Sequence, residues 1–117
     1  MNVGKDLVAA SATPLILAIL SEGESYGYAI IKRVAALSGG ELGWTDGMLY
    51  PVLHRLERNA FVKAVWGRSE SGRRRRYYRL TDRGEEELAS QRRQWRMVDA
   101  TLRRTLLRSL QPVAQGG

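Results

Sequence analysis

The chain changes its hydrophobic period abruptly near residue 60. Leu49, Val52, Leu53 and Leu56 follow the i, i+3, i+4, i+7 spacing that puts side chains on one face of a helix. Past Phe61 the pattern becomes alternation. Val62, Ala64 and Trp66 share one side of a strand, and Tyr78 and Leu80 share one side of a second. Glu70-Ser71-Gly72 is the turn between them. The reading is a helix over Asp46–Asn59, capped by Thr45, that passes directly into a hairpin of Val62–Arg68 and Arg73–Leu80. Few small folds accept that junction.

The remaining segments narrow the choice. Thr13-Pro14 makes a helix start, a hydroxyl cap followed by proline at the first helical position. Leu15, Ile16, Ile19 and Leu20 then form a buried helix ending near Gly23, with residues 1–12 as an uncertain arm. Ser25 can cap a helix over Tyr26–Ser38 whose inward stripe is Ala29, Ile30, Val34 and Leu37, stopped by Gly39-Gly40. Pro51 is expected to kink or loosen the first turns of the third helix. After the hairpin, Thr81 caps a helix running to about Leu110, with Glu85, Glu86 and Glu87 near its start and Arg103, Arg104 and Arg108 near its end. About thirty residues of helix would reach about 45 Å, beyond the core of a chain of this length. Leu88, Trp95 and Leu102 recur every seven residues, with Val98 and Leu106 filling in, so the narrow stripe needs a partner, most simply a second copy.

Charge indicates what the fold serves. From Phe61 to Arg79 there are seven basic residues and one acid, +6 of the chain's net +7. Like charges packed so closely repel, which suggests a polyanionic partner. The absence of cysteine excludes disulfides, thiolate zinc sites and cysteine nucleophiles, and the single His54 cannot build a histidine-rich metal site. No cofactor is expected. Asp46 and His54 are eight positions apart on one helix and do not meet, and no catalytic order of residues or phosphate loop is present, so an enzyme is not expected. The apolar stretch Leu7–Leu20 is too short to span a bilayer. Asp6, Pro14 and Ala18-Ile19-Leu20-Ser21 fit a cleaved leader poorly, so the expected location is cytoplasmic, with no membrane partner.

Three helices followed by a hairpin define a winged helix-turn-helix, whose third helix lies in the major groove. Tyr50, His54 and Arg58, on the face opposite the core stripe, are the candidate DNA contacts, with Thr45 at the helix start. The same face reads equally as ordinary solvated surface. Arg73, Arg74, Arg75 and Arg76 are the candidate wing contacts to phosphates or a minor groove. Alternation sends Arg73 and Arg75 one way and Arg74 and Arg76 the other, so all four cannot share one target. Trp95 is either core packing or, across a two-fold axis, one wall of a slot for flat aromatic or cationic compounds.

Tyr26-Gly27-Tyr28-Ala29-Ile30, Gly47-Met48-Leu49-Tyr50-Pro51-Val52-Leu53-His54-Arg55-Leu56-Glu57 and Gly72-Arg73-Arg74-Arg75-Arg76-Tyr77-Tyr78-Arg79-Leu80-Thr81 together resemble the PadR family of bacterial transcription regulators. The resemblance runs from about Pro14 to Leu106. It implies a homodimer that represses transcription from a palindromic double-stranded operator, with Tyr50, its neighbours and the wing arginines on DNA. The single C-terminal helix is similar to the short-tailed subgroup. Gln94-Trp95-Arg96-Met97-Val98-Asp99 is similar to multidrug-sensing members, which implies ligand contacts from Trp95, Val98 and Asp99 and relief of repression by a planar small molecule. Arg74 stands where many relatives have proline. Ala60 stands where glycine is usual, so Asn59 is expected to take the left-handed turn.

The expected fold is therefore mainly α with a two-stranded β wing. Residues 1–80 form the DNA-binding domain, 81–110 a dimerisation helix with Leu88, Trp95, Leu102 and Leu106 at the interface, and 111–117 a disordered tail. The competing reading is a basic winged-helix module that binds nucleic acid or an acidic protein without an operator or inducer of its own.

Overall fold

The computed structural model describes residues 1–108. In chain order these form α1 (Lys5–Ser21), β1 (Ser25–Tyr26), α2 (Gly27–Leu37), α3 (Asp46–Arg58), β2 (Val62–Arg68), β3 (Arg74–Leu80) and α4 (Asp82–Arg104). The strands make one antiparallel sheet in the order β1-β3-β2. The winged-helix architecture is the expected one, with a short third strand added at the sheet edge.

That strand corrects the assignment of Ser25 as a helix cap. Ser25 and Tyr26 pair with Tyr78 and Tyr77, and α2 begins at Gly27 with no side-chain cap. Two residues carry no alternation for a sequence to display. Leu37, assigned inward, is 54% exposed because α2 ends there.

The start of the first helix is also corrected. α1 begins at Lys5, nine positions before Pro14, which lies inside it. Thr13 caps nothing; its hydroxyl instead accepts from Arg55 Nη2 at 2.8 Å, tying α1 to α3. Val8 packs on the core and Ala12 is part of it, so burial along the Ala-rich first turns outweighs the one hydrogen bond Pro14 removes. α3 likewise runs unbroken through Pro51.

The core joins Ile16, Leu17 and Leu20 of α1, Ile30 and Val34 of α2, Leu49, Leu53 and Leu56 of α3, Val62 and Tyr78 of the sheet, and Leu88 of α4. The left-handed residue after α3 is Ala60, at φ 62°, while Asn59 stays at φ −83°, contrary to expectation. Ala60 is held there because its carbonyl accepts from the Thr81 hydroxyl at 2.6 Å. Thr81 Oγ1 also accepts from Gly84 N at 3.0 Å, the expected cap of α4. Gly84 is buried against the Phe61 carbonyl, where any Cβ would collide with backbone. α4 ends at Arg104, six positions before the expected end, and residues 105–107 form a turn. The rest of that expectation, and the disordered tail, lie outside the described residues.

Tyr78 gives a pH prediction. Its ring is 1% exposed and its hydroxyl has no hydrogen-bond partner among the described residues. Burial pushes the phenol above its ordinary range, opposed in part by Arg76. A raised pKa in the folded state means the neutral form stabilises the fold below the ordinary tyrosine value, about 10, and that this contribution is lost as pH rises past it. Tyr78→Phe is expected to match or exceed the wild type in stability by about 1 kcal/mol, because it removes an unpaired buried hydroxyl. It should also lessen the loss of stability above pH ~10. Thermal melts across pH 8–11 check this; a strongly destabilised phenylalanine variant would contradict it.

Candidate nucleic-acid interface

α3 and the hairpin present most of the residues selected from the sequence. Thr45 Oγ1 accepts from Met48 N at 3.3 Å, so its hydroxyl is engaged in capping α3. Asp46 in the first turn and Arg55 and Arg58 in the last suit the helix dipole. His54 and Arg58 are exposed, whereas Tyr50 is half-buried. The Tyr50 ring lies 6.2 Å from that of His54 and packs against Gly27, where a Cβ would run into its hydroxyl and lie 2.9 Å from Cζ. Gly27 thus clears the space in which Tyr50 docks on α2.

The hairpin register pairs Trp66 with Arg76, Gly67 with Arg75 and Arg68 with Arg74. Gly72, at φ +83°, closes the turn that holds Arg73. Arg74 and Arg76 share the Trp66 side of β3 and Arg75 lies on the other, as the alternation requires, while Arg73 sits in the turn before the strand, and each has its own surroundings. Arg76 Nη2 donates to both Glu57 carboxylate oxygens, at 3.1 and 3.0 Å, and so joins β3 to the last turn of α3. Arg75 lies 3.8 Å over the Tyr26 ring, which itself meets Tyr77 edge-on at 5.6 Å. Arg74 lies 4.4 Å over the ring of Trp66. Arg73 is exposed and has no side-chain partner among the described residues. Among the described residues only Arg76 of the four pairs with an acid, so most of the wing's charge is uncompensated there.

The alternation puts Trp66 on one side of its strand with Val62 and Ala64. It does share the face of Ala64, but the strand has left the core by then and the ring is 60% exposed. Glu57, Tyr26 and Gly27 carry no local signal of their roles, which depend on contacts across the fold.

On α4, Leu88 is buried in the protomer's own core and Trp95 is half-buried, its Nε1 donating to Gln91 Oε1 at 3.2 Å. Trp95 lines an apolar groove of about 350 Å³ with Leu15, Ala18, Leu42 and Leu88, between α1 and α4. Val98, Asp99 and Leu102 continue the same helix beyond the groove. Val98 is 45% exposed, Leu102 and Leu106 are exposed too, and Asp99 pairs with Arg103 at 2.9 Å. Among the described residues no helix is long and apolar enough to cross a membrane, and no cluster of three or more His, Cys, Asp or Glu could hold a metal ion.

A helix-turn-helix with a basic hairpin beside its third helix defines a winged-helix protein. Residues 16–90 match the Transcriptional regulator PadR-like family, and the chain belongs to that family. It is 28% identical over 96 residues to an uncharacterised protein of Lysinibacillus sphaericus, covering 82% of this chain and 88% of that one. It is 30% identical over 89 residues to the transcriptional regulator YqjI of Escherichia coli (strain K12), covering 76% of this chain but only 41% of YqjI. A transcriptional regulator from Clostridium thermocellum superposes with a TM-score of 0.79 at 28% identity, over 88% of this chain and 97% of that one. A PadR-like regulator from Bacillus cereus does so with a TM-score of 0.77 at 27% identity, over 87% and 97%. The protein is a DNA-binding transcription regulator, of a family of regulators rather than enzymes.

Proposed function

We propose that two copies of the chain bind a palindromic operator as a cytoplasmic homodimeric repressor. Each α3 enters the major groove of one half-site, and the half-sites lie about one turn (~34 Å) apart. Tyr50, His54 and Arg58 meet base edges and phosphates, with Thr45 setting the start of the helix, while Arg73, Arg74, Arg75 and Arg76 contact the backbone or minor groove. Residues 1–80 are the reading head, and α4 with the turn after it supplies the dimer seam through Trp95, Leu102 and Leu106, whereas Leu88, expected there, is taken up by the protomer's own core. The observation that carries this reading is the Arg76–Glu57 ion pair. It sets the arginine strand beside the last turn of the helix that reads the groove, so both cationic surfaces face the same side.

Titration against duplexes selected from a random library, unselected duplex and hairpin RNA tests it. Selected duplexes are expected to bind ~10³-fold or more tighter than unselected DNA. Equal binding to all three would replace the repressor with a basic module lacking an operator.

The effector reading belongs to the same proposal. A planar aromatic or cationic compound stacks on Trp95, with Val98 and Asp99 at the mouth of the site, and changes the spacing of the two α3 helices. Such a compound acts only if it binds one spacing better than the other. Trp95→Ala is expected to abolish quenching of protein fluorescence by planar cationic dyes while leaving DNA affinity within about twofold at protein concentrations that keep the variant dimeric, since the indole lies on α4 and not on the α3 and wing surface. Dye binding that persists unchanged in the variant would remove Trp95 from the site.

A further inference from the structure

Of the three tryptophans, Trp44 is buried and Trp95 half-buried, but Trp66 stands on the wing with its ring 60% exposed. A large aromatic left in water keeps its apolar area available to a partner. Three observations say which. Its strand-mate Arg76 is joined to Glu57 of α3, so the Trp66 face of the wing is continuous with the reading helix. Arg74 lies 4.4 Å over the indole, and the ring keeps most of its surface exposed beside it. The surroundings are strongly cationic, with Arg68, Arg73, Arg74 and Arg76 within the same hairpin.

We propose that Trp66 and Arg74 act as one unit that enters the minor groove flanking the half-site read by α3. The indole lies against deoxyribose, and its π-face holds the guanidinium in a fixed direction along the groove floor. The ring contact is independent of sequence, because every nucleotide carries the same sugar. The guanidinium favours the narrow, more negative groove of A·T-rich steps. The stack also has a conformational role: a guanidinium already seated on an aromatic ring loses less freedom when it binds than one on a free side chain. The inference rests on the DNA-binding reading of the wing and adds a contact that charge alone does not supply.

The test uses full-length protein labelled with 5-fluorotryptophan and duplexes that the protein itself selects from a random library. Trp66→Phe identifies the Trp66 fluorine resonance. On saturation with duplex, that resonance is expected to shift and to lose its solvent-isotope response, while the Trp44 resonance does neither. Trp66→Ala is expected to weaken binding about tenfold. It should also reduce the preference for A·T-rich flanks, and adding Arg74→Ala should cost little more, because the two act together. A Trp66 resonance that keeps its full solvent response in the complex, with Trp66→Ala binding as wild type, overturns the inference. If replacing Arg73–Arg76 still lowers affinity in that case, the wing reading stands and only the tryptophan contact falls. If neither change matters, both fall.

Discussion

Replacing Arg73, Arg74, Arg75 and Arg76 by alanine is expected to weaken binding to duplexes of every sequence about thirtyfold per subunit near physiological salt. Each phosphate contact adds about 0.9 to the slope of log affinity against log salt and about fivefold in affinity under those conditions. Four contacts would be the simple count. The structure reduces it, because Arg76 is neutralised by Glu57 and Arg75 is half-buried against the Tyr26 ring, whereas Arg74, though over Trp66, stays exposed. Arg73 and Arg74 remain as the full contributors, so the slope should flatten by about two units per subunit rather than four. Separate pairs check the division. Arg73→Ala with Arg74→Ala should reproduce most of the loss, and Arg75→Ala with Arg76→Ala should give less. An unchanged salt slope in the quadruple variant would falsify the role of the wing.

The second large effect concerns the seam. Val98→Glu combined with Leu102→Glu is expected to leave a folded monomer whose affinity for a two-half-site duplex is about a thousandfold lower. Both side chains are exposed in the single protomer, at 45% and 37%, so the charges stay in water there. Across an α4–α4 seam the same four glutamates would face one another in apolar surroundings, which opposes association. Two reading heads on one duplex also bind far more tightly than either alone, because the second event is intramolecular. Helical content and melting near the wild-type values, with a halved mass in sedimentation, is the expected signature. A variant that remains a dimer with wild-type affinity would place the interface elsewhere.

The sequence was most legible where a local rule and the tertiary fold agree. The apolar stripe of α3 was read correctly because Leu49, Leu53 and Leu56 are all in the core. Thr45 and Thr81 were recognisable caps because a cap needs only a hydroxyl followed by a helix. Expectations failed where tertiary packing overrides a local signal. Thr13-Pro14 has every mark of a helix start, yet Val8 and Ala12 pack inward and carry α1 nine residues further back. Ser25 looked like a cap because β1 exists only through pairing with β3. Ala60 takes the left-handed position against its intrinsic preference because Thr81 holds its carbonyl. In the candidate site, the arginines were evident from charge alone. Their unequal surroundings were not, because Glu57, Tyr26 and Trp66 come from elsewhere in the chain.

The central claim is that paired subunits grip one duplex through α3 and a basic hairpin. Sedimentation of the protein with a selected duplex, at concentrations near the dissociation constant, tests it most directly. Two chains per duplex, with a dimer already present in free protein, is the predicted result. A single chain that sediments alone and shows no preference between selected and unselected DNA would contradict the claim.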